Sequence, residues 1–85
     1  MIKFSILIPT FNNIDYLKLA INSIKINSKY EHEIILHIND GSDGTLEYAQ
    51  NEGLIYTYSE INIGLCSSIN KAATKISTKY VLYVH

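Results

Sequence analysis

The chain has 85 residues, a formal net charge of −1 from seven basic and eight acidic side chains, and one cysteine. This charge balance argues against a nucleic-acid partner, because nucleic-acid-binding proteins usually carry a clear basic excess. The single cysteine excludes an internal disulfide framework and favours a cytoplasmic location. No apolar run approaches the roughly 20 residues that a membrane-spanning helix requires.

The first predicted elements are a strand and the helix that follows it. Residues 4–8 form a short apolar, β-branched run, and Pro9 is expected to end this strand. Between residues 14 and 24, apolar side chains recur at steps of three and four, a spacing typical of one helix face. Asn12 or Asn13 is expected to cap that helix, since asparagine is favoured at the capping position.

A second strand, a short helix and a third strand follow with little spare sequence. Residues 33–38 form another apolar run, which predicts a buried strand. A helix is expected from Thr45 to about Glu52, with Gly53 as its C-terminal cap. In residues 54–58 apolar and more polar side chains alternate more than in the first two strands, and tyrosine and threonine are present, which suits a half-exposed outer strand.

The last third of the chain predicts one more helix and one more strand. Gly64 is expected to open a helix whose apolar positions run from Leu65 to Ile76, and residues 80–84 form a fourth apolar run. The order β-α-β-α-β-α-β suits crossover connections onto a parallel sheet. The sequence therefore predicts a single α/β domain over residues 1–85, built on an open, Rossmann-like parallel sheet.

Polar segments follow two predicted strands, at the edge where open α/β sheets bind ligands. In residues 39–42, Asp40 could accept a hydrogen bond from a nucleobase or a ribose; the alternative is a turn that leads into a helix cap. In residues 9–13, Phe11 could stack on a base; the alternative is a strand end followed by a helix cap. Both segments are candidate nucleotide contacts.

Two isolated side chains are expected to be structural. His37 lies inside the second predicted strand, which favours a hydrogen-bonded sheet residue over a metal ligand. Cys66 falls one step off the main apolar stripe of the third helix and is expected to be a small packing residue. The sequence contains no glycine-rich loop of the dinucleotide-binding or P-loop type, which argues against those two classes.

Four blocks of the sequence resemble, in order, the motifs of a known enzyme family. They are residues 5–12 (SILIPTFN), 40–45 (DGSDGT), 62–65 (NIGL) with Asn70 after it, and 79–84 (KYVLYV). The set is similar to the opening of family 2 glycosyltransferases, inverting enzymes of the GT-A fold that use nucleotide-sugar donors. The resemblance covers nearly the whole chain and implies the N-terminal part of a GT-A domain.

The resemblance implies a set of residues that share one role, nucleotide binding. They are Pro9, Thr10, Phe11, Asn12, Asp40, Gly64 and Asn70. Within the set, Asp40 would recognise uracil or another base, and the first three residues would line the nucleotide pocket. The second motif is one residue shorter than the family pattern, between Ser42 and Asp43, so the role of Asp43 stays open.

The metal-binding and catalytic parts of the family pattern are expected to lie beyond this chain. A full-length member would use Mg²⁺ or Mn²⁺, but the acidic metal motif would begin at or just after His85, and no Asp or Glu follows Glu60. No metal ligand and no catalytic residue is therefore predicted here. The resemblance implies a truncated, inactive portion of an enzyme for polysaccharide biosynthesis. That enzyme would transfer a sugar from a UDP-type donor to a saccharide or lipid-linked acceptor.

Two other functions stay open at the level of sequence. The chain could be a complete small, non-catalytic nucleotide-binding or assembly module. A nucleotidyltransferase of related topology would need a basic, glycine-rich first loop, which residues 8–12 do not offer.

An exposed sheet edge is expected to favour self-association. The expected location is cytoplasmic, with the inner face of the membrane as a further location for a full-length protein.

Overall fold

A computed structural model describes residues 3–27 and 31–84, which form a four-stranded parallel sheet with helices on both faces. The strands are β1 (Lys3–Phe11), β2 (Glu31–Asn39), β3 (Ile55–Ser59) and β4 (Tyr80–Tyr83), and the helices are α1 (Ile14–Asn27), α2 (Thr45–Asn51) and α3 (Leu65–Ala73). Strands and helices alternate in the predicted order, and the strand order across the sheet is β3-β2-β1-β4. The predicted α/β, Rossmann-like sheet is confirmed.

The core lies on both faces of the two central strands, β1 and β2. Alternate side chains of a strand point to opposite faces, so each of these strands contributes to two layers. On one face, the layer contains Ile6, Ile8, Leu17, Ile21, Ile34, Leu36, Ile38 and Ala49 of β1, β2, α1 and α2. On the other face, the layer contains Leu7, Ile35 and Ala72 of β1, β2 and α3. Burial on both faces explains why β1 and β2 read as almost unbroken apolar runs.

β1 continues three residues beyond the predicted strand end, to Phe11, so the expectation that Pro9 ends it is wrong. Backbone polar groups alternate between the two neighbouring strands, so Pro9 has the orientation of Leu7, whose carbonyl accepts from Val84 at 2.9 Å. Pairing between β1 and β4 extends only to Leu7. The nitrogen of Pro9 therefore faces the side where no ladder bond is required, and proline is tolerated there.

The C-terminal end of α2 has the glycine cap that the sequence predicts. Gly53 has a φ of +65°, a left-handed conformation that glycine adopts without steric cost. Its N–H donates to the carbonyl of Gln50 at 3.3 Å, and the N–H of Leu54 donates to the carbonyl of Ala49 at 3.0 Å. This pair of bonds is a Schellman motif, which satisfies carbonyls that the helix leaves free.

At the amino edge of the sheet, the carboxylate of Glu33 fastens the turn that precedes β4. One oxygen accepts from the Ser5 hydroxyl at 2.6 Å and from the Ser77 backbone N–H at 2.9 Å, and the other accepts from the Ser77 hydroxyl at 2.7 Å. Burial acts to raise the pKa of Glu33, but the hydrogen bonds from Ser5 and Ser77 outweigh it and hold the pKa below its usual value. This cluster is remote from the carboxyl edge, where ligands of open α/β sheets bind.

β4 lies at one end of the strand order and presents large apolar side chains to solvent. Tyr80, Leu82 and Tyr83 are 47%, 49% and 62% exposed. We predict a dimer or larger species in analytical ultracentrifugation, because unpaired strand edges and apolar patches favour association. Leu82→Lys is expected to shift the protein towards monomer, whereas Leu19→Lys, an equally polar change on exposed α1, is not. A wild-type protein that stays monomeric at all concentrations would contradict the prediction.

Candidate functional site

A cleft of about 160 Å³ opens at the carboxyl end of β1, beside the first turns of α1 and α3. The strand order reverses at β1, since β2 and β3 lie on one side of it and β4 on the other. Such switch points are where open α/β sheets bind ligands. The lining residues are Ile8, Pro9, Thr10, Phe11, Asn13, Tyr16, Leu17, Asn39, Asn62, Gly64, Leu65 and Ser68. The volume is about half that of the smallest typical ligand pockets, so the cleft suits one ring-sized group.

Two aromatic rings and a leucine are accessible in the cleft, and two polar residues at the ends of β1 and β2 are buried in it. Phe11, Tyr16 and Leu65 are each about half exposed although they line the cleft. Thr10 and Asn39 are buried, at 3% exposure each. Two accessible aromatic rings beside convergent polar groups are suited to binding a flat, polar ring.

The rim of the cleft is formed by Asn12 and Asp40, which directly follow lining residues of β1 and β2. The side-chain amide of Asn12 donates to Asp40 Oδ2 at 2.8 Å. Both residues have positive φ, +45° and +65°, in the left-handed region that asparagine and aspartate tolerate better than most side chains. The hydrogen bonds from Asn12 and Ser42 hold the pKa of Asp40 below its usual value. The rim therefore presents an ionised carboxylate in a fixed position.

Asp43 joins the first turns of α1 and α2. Its Oδ2 accepts from the backbone N–H of Ile14 at 2.9 Å, and its Oδ1 accepts from the N–H and hydroxyl of Thr45 at 3.1 and 2.6 Å. Asn13 stands at the predicted capping position, since its carbonyl accepts from the N–H of Leu17 at 3.0 Å, but the side chain that binds the first N–H of α1 is Asp43, 29 residues further along the chain. Burial acts to raise the pKa of Asp43, but these hydrogen bonds outweigh it and lower the pKa. Asp43, whose role the shortened motif leaves open, therefore holds two helix starts together.

The structure brings six of the seven predicted nucleotide-binding residues to this edge. Pro9, Thr10, Phe11 and Gly64 line the cleft, and Asn12 and Asp40 form its rim. Asn70 is exposed on α3, whose buried positions include Ser68. Two residues correspond to about 200° around a helix, so Asn70 lies on the side opposite Ser68 and away from the cleft.

The same helical phase explains the error for Cys66. It precedes Ser68 by two residues and lies on the outer face of α3, where it is exposed. The expectation that Cys66 is a small packing residue is therefore wrong. A nine-residue helix offers few apolar positions from which its buried face can be predicted.

Asn39 is the most connected cleft residue that the sequence did not single out. Its Nδ2 donates to the carbonyl of Thr10 at 3.1 Å and to the Ser68 hydroxyl at 2.9 Å. Its Oδ1 accepts from the Ser59 hydroxyl at 3.1 Å and from the backbone N–H of Ile63 at 3.0 Å. One amide therefore links β1, β3, α3 and the segment before α3. A polar residue that ends an otherwise apolar strand was the available signal.

His37 lies under the same polar network and is a hydrogen-bonded sheet residue, as predicted. It is fully buried, with Nδ1 at 2.7 Å from the Thr57 hydroxyl and Nε2 at 3.0 Å from the Ser59 hydroxyl. Burial, assisted by the positive charge of Lys71, holds the pKa of His37 below its usual value. The ring is therefore neutral at physiological pH.

Acidic and other metal-ligating side chains are scattered over the described part of the chain. Within residues 3–27 and 31–84, no group of three or more His, Cys, Asp or Glu side chains is arranged to hold a metal ion. Asp43 is engaged by two helix starts, and Asp40 is a single carboxylate. His85, where the resemblance would begin the metal motif, lies outside the described residues.

Comparison with known proteins decides the family. The model for Glycosyl transferase family 2 matches residues 5–85. The chain belongs to this family. Among curated proteins, this family 2 glycosyltransferase chain is similar to the cholesterol galactosyltransferase of Borreliella burgdorferi. The two are 36% identical over 86 residues, which cover 95% of this chain and 24% of the relative.

A solved structure supports the same assignment. The crystal structure of S. aureus TarS, residues 1–349, matches this family 2 chain with a TM-score of 0.83 and 26% identity, covering 98% of this chain and 27% of that one. The GT-A type of α/β sheet is thereby confirmed. The chain spans about a quarter of the length of the relatives it matches.

Proposed function

We propose that this chain is the nucleotide-binding portion of an inverting glycosyltransferase that uses a UDP-sugar donor. The observation that carries the proposal is the ionised Asp40 carboxylate, fixed by Asn12 at the rim of a ring-sized cleft with aromatic walls. Membership of a family of sugar transferases supports a nucleotide-sugar as the ligand of that cleft. The role of these residues is to bind and orient the donor.

The chemistry of the rim favours uracil. The ring of uracil carries an N–H between its two carbonyls, and a carboxylate can only accept a hydrogen bond. Cytosine has an acceptor at that ring position, so Asp40 would discriminate against it there. Phe11 and Tyr16 supply aromatic faces for the base, and base–aromatic stacking contributes about 1–3 kcal/mol in other nucleotide-binding sites. The ribose and diphosphate would extend out of the cleft.

The remaining parts of the reaction are assigned to the full-length enzyme. Its acceptor would be a saccharide or a lipid-linked molecule, and the similarity to a cholesterol galactosyltransferase supports a hexosyl donor and keeps a lipid among the acceptors. The divalent cation, Mg²⁺ or Mn²⁺, and the catalytic base would be bound or supplied outside the described residues. We expect no transferase activity from the 85-residue chain alone. The proposed location is cytoplasmic, with the inner membrane face as a further location of the full-length protein.

No helix among residues 3–27 and 31–84 has the length and apolar character needed to cross a membrane.

Titration of UDP into the ¹⁵N-labelled chain, followed by amide chemical shifts, tests the proposal. We expect shifts to concentrate at Thr10, Phe11, Asp40 and Gly64, and UDP to bind more tightly than CDP. Asp40→Ala should weaken UDP binding and reduce the preference over CDP, because the base loses its acceptor. On charge alone, removing a carboxylate near an anionic ligand would strengthen binding. A loss of UDP affinity in Asp40→Ala therefore indicates that the carboxylate binds the base directly.

Glu52→Ala is the matched control, since it removes one exposed carboxylate at the far end of α2. It should leave UDP affinity unchanged or slightly increased. Absence of shifts at the cleft in a folded wild-type sample would refute the proposal. Equal affinity of wild type and Asp40→Ala would refute the role of Asp40.

A further inference from the structure

His37 is a buried titratable side chain that the proposed function does not use. It lies two residues after Ile35, so it is on the face of the sheet where Ile35 shares a core layer with Ala72 of α3. Its two ring nitrogens contact the hydroxyls of Thr57, at 2.7 Å, and Ser59, at 3.0 Å. Both hydroxyls belong to β3, so the ring holds the second half of β3 against β2.

Ser59 connects His37 to the rim and to one wall of the cleft. Its carbonyl accepts from the backbone N–H of Asp40 at 2.8 Å, and its hydroxyl donates to the carbonyl of Ile61 at 2.8 Å. Asp40 is the carboxylate of the rim, and Ile61 directly precedes Asn62, which lines the cleft. A displacement of Ser59 would therefore move both the rim and the wall.

The surroundings of the His37 ring oppose a positive charge on it. Burial, and then the positive charge of Lys71 on α3, lower the pKa of His37. In the described part of the chain, the other titratable side chains of the elements around the ring lie away from it. Lys3, Glu31, His32 and Glu33 are at the amino ends of β1 and β2, and Asp40 and Glu60 follow the carboxyl ends of β2 and β3. Tyr56 and Tyr58 alternate with Thr57 and point to the other face of β3.

Protonation of the ring would destabilise the attachment of β3. A neutral imidazole donates from one nitrogen and accepts at the other, whereas a protonated ring donates from both, so the hydroxyl that donates to the neutral ring must turn its hydrogen away. The charge would also be buried near Lys71, without a facing carboxylate. β3 lies at one end of the strand order and none of its five residues is buried. Release of its end is therefore the least costly way to hydrate the ring.

We propose that His37 is a pH-sensitive positioning residue of the donor site: the neutral ring holds the end of β3 and, through Ser59, the rim at Asp40, and protonation releases them. The ligand is the UDP-sugar of the proposed function, on which this inference rests. Because the pKa of His37 is lowered, the attached arrangement of β3 is fully favoured above the ordinary pKa of 6.5. It loses stability as the pH falls from 6.5 towards the lower pKa of the buried ring.

The affinity for UDP-glucose, measured at about pH 7.5 and at about pH 5.5, tests this role. A diphosphate esterified at both ends does not titrate between these values. The background protein carries His32→Gln and His85→Gln, which leaves His37 as the one histidine of the chain. We expect affinity to fall with pH by at most about tenfold per pH unit, the limit for one proton. Adding His37→Gln should abolish the fall, and circular dichroism establishes folding at each pH.

Lys71→Met tests the same role without changing the ring. Loss of the positive charge should raise the pKa of His37, so the fall in affinity between the two pH values should be smaller than in the background protein. Lys75→Met is the matched control, since it removes the same charge from an exposed residue four positions later and should leave the fall unchanged. Equal affinity of the background protein at both pH values, or a fall of unchanged size in His37→Gln, would overturn the inference. Where His37→Gln does not fold, an unchanged fall in Lys71→Met would overturn it.

NMR titration of the ligand-free protein separates this inference from the proposed function. We expect the backbone amide of Asp40 to shift with the same midpoint as the His37 ring, which can be measured whether or not a ligand binds. An Asp40 amide that does not respond to protonation of His37 would overturn the inference. A protein that shows the coupled titration but binds neither UDP nor UDP-glucose would overturn the proposed function, and with it the donor-site role of His37.

Discussion

Gly41→Ala is expected to destabilise the protein severely, whereas Gly53→Ala should be tolerated. Both glycines have left-handed backbones, with φ of +73° and +65°. A Cβ at Gly41 would lie 2.7 Å from Ile38 Cγ2 and 3.1 Å from Leu46 Cβ, and the first distance is shorter than real Cβ contacts show. A Cβ at Gly53 would meet no heavy atom of the described residues within 4 Å. The difference in stability between the two variants therefore measures the steric clash of the Cβ at Gly41, because the cost of a left-handed alanine backbone is common to both.

The expected cost at Gly41 is a large part of the stability of so small a domain. A left-handed alanine costs about 1–2 kcal/mol at either position, and overpacking adds about 1–3 kcal/mol at Gly41 only. Typical domains have roughly 0.05–0.15 kcal/mol of stability per residue, which for this length is about 4–13 kcal/mol. Urea unfolding of the two variants measures the difference directly. Equal midpoints for both would show that Ile38 and Leu46 give way without cost.

The alternation of strands and helices was predictable because the spacing of apolar residues and the positions of glycines at element ends are local properties of the sequence. Gly53 is an example, since its left-handed cap is encoded within a few residues. The effect of Pro9 was not predictable in the same way. Whether proline ends a strand depends on whether its nitrogen faces a neighbouring strand that needs a hydrogen bond. Here the neighbour is β4, and its extent is set by residues more than 70 positions later in the chain.

The residues of the candidate site also differ in whether local sequence could predict them. The short motifs indicate Thr10, Phe11 and Asp40 because these residues follow the strand ends that the sequence predicts, and the structure places all three at one edge of the sheet. Asn39 and Ser68 were missed because their partners come from four different elements of the fold. Ser68 precedes the buried Ala72 by one helical turn, so a polar residue on a buried stripe was the signal that local reasoning could have used.

The position of Asp40 depends on how the following loop is held, and Asp43 is the residue that holds it. The loop between β2 and α2 contains Gly41, which packs closely against Ile38, and Asp43, which binds the starts of α1 and α2. Asn12 leads into α1 and donates to Asp40. A shift of the α1 start would therefore be transmitted to the rim of the cleft, so a structural variant at Asp43 should also disturb UDP binding.

Asp43→Ala is expected to lower the free energy of unfolding by about 2–3 kcal/mol at neutral pH. The change removes the acceptor for the first N–H of α1 and for the N–H and hydroxyl of Thr45, and a lost helix cap costs about 1 kcal/mol. Asp43→Asn keeps one acceptor oxygen of the two and should lose about half as much. Asp15→Ala, an exposed change in the first turn of α1, should cost less, because it removes only an interaction with the helix dipole.

The effect of Asp43→Ala should also depend on pH. The pKa of Asp43 is lowered from 3.8 in the folded protein, so its stabilisation is complete above the unfolded-state pKa and is lost as the pH falls through the lower folded value. Urea unfolding of wild type and variant should give a difference that is constant near neutrality and shrinks below about pH 4. A difference of the same size at all pH values would show that the ionised carboxylate does not hold the two helix starts together.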